Sequence, residues 1–368
     1  LPAMRDVQWA SHTCIYSWHV KGVHRSPFES EAVTTLLTPL VTSNYVICGT
    51  SYGYVKLMPF PCASDDAECH RFTGHIGPVV SVSSTFDQLM MITAGSMDRC
   101  IVLWKIITQN PDPVETVEYP ESDDYALEVR GGSDIEEDFM IDEADIPDSL
   151  LNEKSSKITS SPQLDTWLGS VVPPTNPTPQ HVSIPDASLR LEHVYGYQSQ
   201  NMRNNIRYTA AGELVYVAAT VGVCVNPKTK AQRFFQGHTE AISAFAASGD
   251  GQYIATGQLG VRPKVFVWST ENTSALISLS ELQMQSITAL CFSSARDQYE
   301  YLAVAGLDID HTISIYNWRR NYVVSKGYGG FNHILGMSFS HNSKEITACG
   351  VKYLTMWSVG KRNMSARK

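Results

Sequence analysis

Four stretches of this chain end alike, in an alternating run of apolar and β-branched residues closed by tryptophan. They are Ile101-Val102-Leu103-Trp104, Val265-Phe266-Val267-Trp268, Ile313-Ser314-Ile315-Tyr316-Asn317-Trp318 and Leu354-Thr355-Met356-Trp357. Alternation with a period of two is the mark of a strand with one face in and one face out. Ahead of each run lies another short apolar stretch that ends in small residues: Met91-Ile92-Thr93-Ala94-Gly95-Ser96, Ile254-Ala255-Thr256-Gly257, Leu302-Ala303-Val304-Ala305-Gly306 and Ile346-Thr347-Ala348-Cys349-Gly350. Two of the repeats open on Gly-His, at Gly74-His75 and Gly237-His238, about 30 residues before the tryptophan. A supersecondary unit repeated along a chain cannot bury its apolar face alone, so successive units must stack. That property sets the class as all-β.

The tryptophans at 268, 318 and 357 are 50 and 39 residues apart, bracketing the ~40–45 residues of a WD40 β-propeller blade. In a four-stranded blade the alternation buries strand faces against the neighbouring blades, and glycine permits the tight turns. The histidine of Gly-His, once buried, can hydrogen-bond a turn aspartate and stiffen the blade. Asp98 and Asp308 stand where that aspartate belongs, whereas Gln258-Leu259-Gly260 departs from the rule. Gly74, His75, Asp98, Trp104, Gly237, His238, Trp268, Asp308, Trp318 and Trp357 are therefore expected to be blade-building residues and not catalytic ones.

One motif points elsewhere. Gly49-Thr50-Ser51-Tyr52-Gly53 fits G-x-S-x-G, the nucleophile elbow of many hydrolases, which needs a strand before the serine and a helix after it. The next residues are Tyr54-Val55-Lys56-Leu57-Met58, closed by Pro59 and Pro61. They form a second strand, so Ser51 is expected at the turn of a hairpin. No catalytic residue and no cofactor is expected.

Charge divides the chain. Residues 111–189 hold 18 acidic and 3 basic side chains, a net −15, while the remaining 19 acids and 25 bases leave the rest at +6. Pro, Ser, Asp and Glu dominate this stretch, the composition of a chain that buries too little to order itself. Phe139, Ile141, Leu150, Leu151, Trp167 and Leu168 are the apolar residues in it that could dock. The eight cysteines, at 14, 48, 62, 69, 100, 224, 291 and 349, form no C-x-x-C pair. Cys62, Cys69 and His70 lack a second ligand pair at zinc spacing, so no metal site is expected. No apolar run approaches the ~18 residues of a membrane span, and a cytoplasmic setting is expected. The chain opens on Leu1-Pro2, as a fragment of a longer polypeptide would.

Narrower words carry a family resemblance. Leu191-Glu192-His193-Val194-Tyr195-Gly196-Tyr197, with Arg203-Asn204-Asn205-Ile206-Arg207-Tyr208 after it, resembles the hydrophobic motif of echinoderm microtubule-associated protein-like (EMAP-like) proteins. Tyr208-Thr209-Ala210-Ala211, Phe234-Phe235-Gln236-Gly237-His238, Ala255-Thr256-Gly257-Gln258-Leu259-Gly260 and Gly306-Leu307-Asp308-Ile309-Asp310-His311-Thr312 extend the likeness, in which the Gln258 variant is the family's own. Upstream, Asp6-Val7-Gln8-Trp9, Cys14 with Trp18, and Phe60-Pro61-Cys62 resemble the closing blades of the family's propeller pair. His193 departs from the tryptophan usual in the motif, and the trimerising coiled coil of short members is absent from this stretch.

The resemblance implies a division into three. Residues 1–109 are closing WD40 blades of one unit, about three blades' worth. Residues 110–188 are the acidic connector. Residues 189–368 are the hydrophobic motif, with Val194, Tyr195, Gly196, Tyr197, Arg203, Asn204 and Asn205 as its marks, and about four opening blades of the next unit. That order is the junction of two units in a long, multi-unit member, and it favours two rings over one. The implied function is that of a non-enzymatic scaffold binding tubulin or microtubules and modifying their assembly or stability, with other cytoskeletal or axonemal proteins as further partners. Candidate contacts to that acidic surface are Arg203, Arg207, Arg262, Lys264, Arg319, Arg320 and Lys326. A WD40 adaptor gripping a non-tubulin protein is the alternative. Neither nucleic acid nor membrane is an expected partner, since no basic helix or aromatic-plus-basic RNA motif appears.

Overall fold

Each repeat folds into a four-stranded antiparallel meander, and six such sheets succeed one another as β-propeller blades among the described residues. The computed structural model describes residues 14–24, 33–37, 45–107, 170–177 and 182–367, scattered positions within them excepted, and the pair 6–7. Most of the acidic connector, Trp167 and Leu168 included, lies outside the described residues, as does Trp9.

Blade 1 comprises β1 (Val33–Leu37), β2 (Tyr45–Thr50), β3 (Tyr54–Pro59) and β4 (His70–Thr73). Blade 2 comprises β5 (Val79–Ser84), β6 (Met90–Gly95), β7 (Ile101–Ile107) and β8 (Ser188–Tyr195). Blade 3 contains β9 (Ile206–Tyr208), β10 (Leu214–Ala218), β11 (Val221–Val225) and β12 (Gln232–Phe235). Blade 4 is β13 (Ile242–Ala247), β14 (Tyr253–Gln258), β15 (Val265–Ser269) and β16 (Ala275–Leu279). Blade 5 is β17 (Ile287–Phe292), β18 (Tyr301–Gly306), β19 (Ile313–Asn317) and β20 (Tyr322–Gly327). Blade 6 closes the series with β21 (Ile334–Phe339), β22 (Glu345–Gly350), β23 (Tyr353–Val359) and β24 (Met364–Arg367).

Among the described residues two sheets begin before the connector, and the second is completed after it. Strand β8 pairs with β7 from Ile101↔Tyr195 to Ile107↔Ser188. The two blocks of the sequence therefore share one sheet. All six blades belong to one compact unit, built from both sides of residues 111–171.

Burial reflects what covers each strand. Strands β2, β14 and β18 are buried at all but their first residue, as expected where both faces are covered. Between blades 4 and 5 lie Val265, Val267, Ile287, Leu302 and Trp318, and between blades 5 and 6 lie Ile313, Ile315, Ile346 and Trp357. Strands β7 and β23 instead alternate. Blade 2 leaves Ile92, Ile101 and Tyr195 exposed by 38%, 47% and 56%, and blade 6 leaves Leu354 exposed by 69%.

The innermost strands share a defect at the same place. Register shifts fall at the second residue of β1, β5, β13, β17 and β21. In three of them the bulged residue carries a hydroxyl. Thr34 Oγ1 donates to Val79 O at 2.5 Å, Ser243 Oγ to Ile287 O at 2.6 Å, and Thr288 Oγ1 to Ala305 O at 3.3 Å. The first two are stitches from one blade to the inner strand of the next. Blade 2 has Val80 at this position.

The small residues ending the second strands serve a purpose other than the expected tight turn. Gly95 and Gly257 lie in strands and lack positive φ. A Cβ on Gly257 would come within 2.6 Å of Ile287 Cγ2 in blade 5, and one on Gly95 within 2.3 Å of the Asp98 carboxylate. Glycine is needed there because another group occupies the space. Gly257→Ala is accordingly expected to cost about 1–3 kcal/mol through overpacking, read as a lower midpoint in chemical denaturation.

Candidate functional site

Blades 2 and 4 each bury a chain of polar groups behind the Gly-His pair. Gly74 and Gly237 lead into His75 and His238, both buried. In blade 2 the His75 Nδ1–H donates to Asp98 Oδ2 at 2.9 Å, while Thr93 Oγ1 lies 2.7 Å from Nε2 and accepts from Trp104 Nε1 at 2.9 Å. Asp98 is satisfied further by the backbone N–H groups of Ile76 and Cys100, at 2.8 and 2.9 Å. A buried carboxylate is tolerable only when so saturated.

Blade 4 makes the same chain without a charge. His238 Nδ1 meets Gln258 Oε1 at 2.9 Å, Nε2 meets Thr256 Oγ1 at 2.7 Å, and Trp268 Nε1 donates to that hydroxyl at 3.2 Å. Gln258 stands two residues after Thr256, whereas Asp98 stands five after Thr93. The longer amide reaches the imidazole from the strand itself, so the Gln258 irregularity is a substitute and not a gap. Burial holds the His238 pKa down to about 4; the Gln258 hydrogen bond opposes this shift, and the Lys264 charge adds to it. Sequence reasoning misses Thr93 and Thr256 as members of these chains, although their match is visible when the repeats are aligned.

Blades 5 and 6 lack this arrangement. Asp308, expected to serve a histidine, instead accepts from Thr312 N at 2.7 Å and Thr312 Oγ1 at 2.6 Å, closing its own turn. Trp318 donates to the backbone oxygen of Tyr299 at 2.6 Å, and Trp357 is buried in the core between blades 5 and 6.

Ser51 sits in the two-strand turn between β2 and β3, where Gly53 N donates to Thr50 O at 3.2 Å. An elbow would need a helix at that place. Among the described residues no group of three His, Cys, Asp or Glu could hold a metal, and Cys100, Cys224 and Cys291 have pKa values pushed up to about 12 by burial. No described helix is long and apolar enough to cross a membrane.

The segment from residue 184 ties three blades. Ile184 N donates to Glu68 Oε2 at 3.3 Å, Tyr45 OH donates to Asp186, and His70 Nε2 lies 2.9 Å from Pro185 O, all on blade 1. Val194, in β8, exchanges two hydrogen bonds with the Gln232 amide of blade 3, at 2.8 and 3.1 Å. His193 rests on Tyr195, ring centroids 4.3 Å apart. A Cβ on Gly196 would come within 2.4 Å of Cys100 Sγ, so only glycine lets the chain leave blade 2 there. Tyr197 donates to buried Asn205, whose amide donates to Gln198 O. Asn204 takes φ 53°, a conformation asparagine tolerates.

The seven candidate basic contacts do not form one patch. Arg203 and Arg207 line a groove along the inner strands of blades 4 to 6. Arg262 and Lys264 lie in the β14–β15 loop. Arg319 stacks over Trp318 and Tyr253, at 4.5 and 5.0 Å, and Arg320 lies 3.9 Å from Glu300. Lys326 is exposed on β20.

Comparison with known proteins agrees with these features. The HELP motif family model matches residues 184–223, and the WD domain, G-beta repeat model matches residues 67–105 and 229–269. A ciliary WD repeat-containing protein of Euplotoides octocarinatus is 27% identical over 54% of this chain and 30% of its own length. Echinoderm microtubule-associated protein-like 4 of Xenopus laevis is 29% identical over 48% of this chain and 20% of its own. Echinoderm microtubule-associated protein-like 1 of Homo sapiens is 28% identical over 48% and 23%. The chain thus spans less than a third of each of these relatives. A solved structure, that of U3-55K, overlaps 46% of this chain and 52% of that one at 14% identity and TM-score 0.37, too loosely to argue from. The chain carries a HELP motif and WD40 repeats, and is similar over about half its length to EMAP-like and ciliary WD repeat proteins.

The buried chains lead to two expected outcomes. Trp104→Ala and Trp268→Ala should each destabilise by about 3–5 kcal/mol, measured by chemical denaturation. In the unfolded chain His238 protonates below pH ~6.5, while the folded protein keeps it neutral to about pH 4. Between these values the unfolded state binds more protons, so stability from this group, complete above pH 6.5, falls as pH falls toward 4, by roughly 3 kcal/mol. A His238→Gln variant is expected to flatten that part of the stability–pH curve.

Proposed function

We propose that this chain is a non-enzymatic scaffold that binds tubulin or microtubules through its blade surfaces. The observation that carries this is the arrangement itself, a HELP motif running into WD40 repeats, in a chain whose relatives include proteins named for microtubule association and for cilia. The corresponding setting is the cytoplasmic microtubule or the ciliary axoneme. The balance of +6 outside residues 111–189 would favour approach to an acidic filament. Among the candidate contacts Arg203 and Arg207 suit this role best. Arg319 and Arg320 already have partners in their own blade.

The blades also fit a junction between two propeller units, blades 1 and 2 closing one and blades 3 to 6 opening the next. The exposed face of blade 2 and the missing stitch at Val80 support this division. The boundary then falls between Tyr195 and Ile206, beyond the shared sheet. That same apolar face of Ile92, Ile101 and Tyr195 favours a second reading, in which a non-tubulin protein docks.

Co-sedimentation of the full chain with stabilised microtubules separates the two. Binding is expected at low ionic strength and should fade toward ~0.3 M salt as the charges are screened. Absence of the chain from the pellet at low salt would remove tubulin as the partner and leave the adaptor reading.

A further inference from the structure

The groove lined by Arg203 and Arg207 has a volume of about 730 Å3 and runs across the inner strands β13, β17 and β21. Its chemistry is one-sided. The two arginines reach it from blade 3, His333 and His341 flank β21, and no aspartate or glutamate is among the described residues that line it. Both arginines are exposed, and neither forms an ion pair among the described residues. Among the described residues the Arg207 guanidinium bonds only its neighbour, Ile206 O, at 2.8 Å. Walls free of carboxylates beside two unneutralised guanidinium groups leave a positive potential inside the groove.

The strands supply a second feature. Each of β13, β17 and β21 is the terminal strand of its sheet, paired on one side only. Edges of this kind offer main-chain N–H and C=O groups, which recognise another main chain in extended form. Thr288 and exposed Ser338 add hydroxyls. Of the three phenylalanines on the same walls, Phe245 and Phe292 are buried and Phe339 is half-buried against the core between blades 5 and 6, so the walls are poor in open rings for stacking a base. Positive charge, strand edges and hydroxyls select a flexible carboxylate-bearing chain over a nucleic acid.

We propose that this groove binds an extended acidic peptide segment of a partner protein, with Arg203 and Arg207 clamping its carboxylates. That the partner is cytoskeletal rests on the proposed scaffold function; the peptide chemistry does not.

Fluorescence anisotropy with a labelled peptide of alternating Glu and Gly, added to the full chain, tests this. Binding that weakens with salt is expected, and a Gln/Gly peptide should bind far less. Arg203→Ala with Arg207→Ala should weaken the Glu/Gly peptide at least about tenfold, and the double Arg→Lys variant should fall between. Arg262→Ala, outside the groove, should leave it within about twofold. An unaltered melting transition in the double alanine variant separates lost binding from lost folding. Equal affinity for both peptides, no effect of the double variant, or an oligothymidylate that binds with the same arginine dependence would overturn the proposal. Microtubule pelleting separates the peptide site from the scaffold function. Lost peptide binding in the double variant with pelleting unchanged upholds the peptide site and moves tubulin elsewhere. Pelleting by a wild-type chain that binds no acidic peptide overturns the groove alone.

Discussion

The pairing of Ser188–Tyr195 with Ile101–Ile107 is the interaction on which the rest of this structure depends. It joins residues from the two ends of the acidic stretch into a single sheet, and buries Leu189, Leu191 and Val194 with Trp104, Val102 and Met91. It also sets where the chain can go next. Val194 is held by Gln232 of blade 3, and Gly196 passes against Cys100. From there Asn205, anchored by Tyr197 and Gln198, delivers Arg203 and Arg207 to the groove. A residue that looks remote from any binding surface, such as Leu191, thus helps determine whether one exists.

Blades 2 and 4 solve one problem by two chemistries. Each must satisfy a buried imidazole and a buried indole N–H deep between sheets. Blade 2 does so with a carboxylate that itself needs several donors, including two backbone N–H groups. Blade 4 does so with a neutral amide, which demands fewer partners and carries no cost of burying a charge. The amide leaves the His238 imidazole without a counter-charge, and its hydrogen bond offsets only part of the effect of burial on the pKa. In blade 5, Trp318 uses a backbone carbonyl and no histidine at all. In blades 2, 4 and 5 the tryptophan is common, and its polar partner is negotiable.

The architecture was legible because period-two alternation, tryptophan spacing and the Gly-His pairs are all local signals. Ser51 was legible for the same reason, since prolines at 59 and 61 left no room for a helix. Which strand lies beside which is not a local matter. Nothing within Ser188–Tyr195 says that it completes a sheet begun before residue 108. The glycines at 95 and 257 stand out in the repeats, yet turn geometry is the wrong cause for them, because a close approach from Ile287 or Asp98 is a tertiary fact. The basic candidates suffer likewise. Charge marks Arg319 and Arg207 equally, and only packing reveals that one lies on Trp318 and the other faces an unneutralised groove.

The strand shared across the acidic stretch turns residues 108–187 into a loop whose two ends are pinned side by side, at Ile107 and Ser188. The entropic cost of closing such a loop grows only with the logarithm of its length, about 0.6 kcal/mol per doubling. A change in the length of this stretch therefore costs the seam little, whereas residues 184–187 are themselves held to the blades and are not free to change. A proteolytic cut within it would not separate the halves either, because the seam between β7 and β8 is held by main-chain hydrogen bonds and buried side chains instead of by the covalent chain. Blade 2 is a joint held by pairing and packing, with the covalent link serving to keep its two parts at high effective concentration.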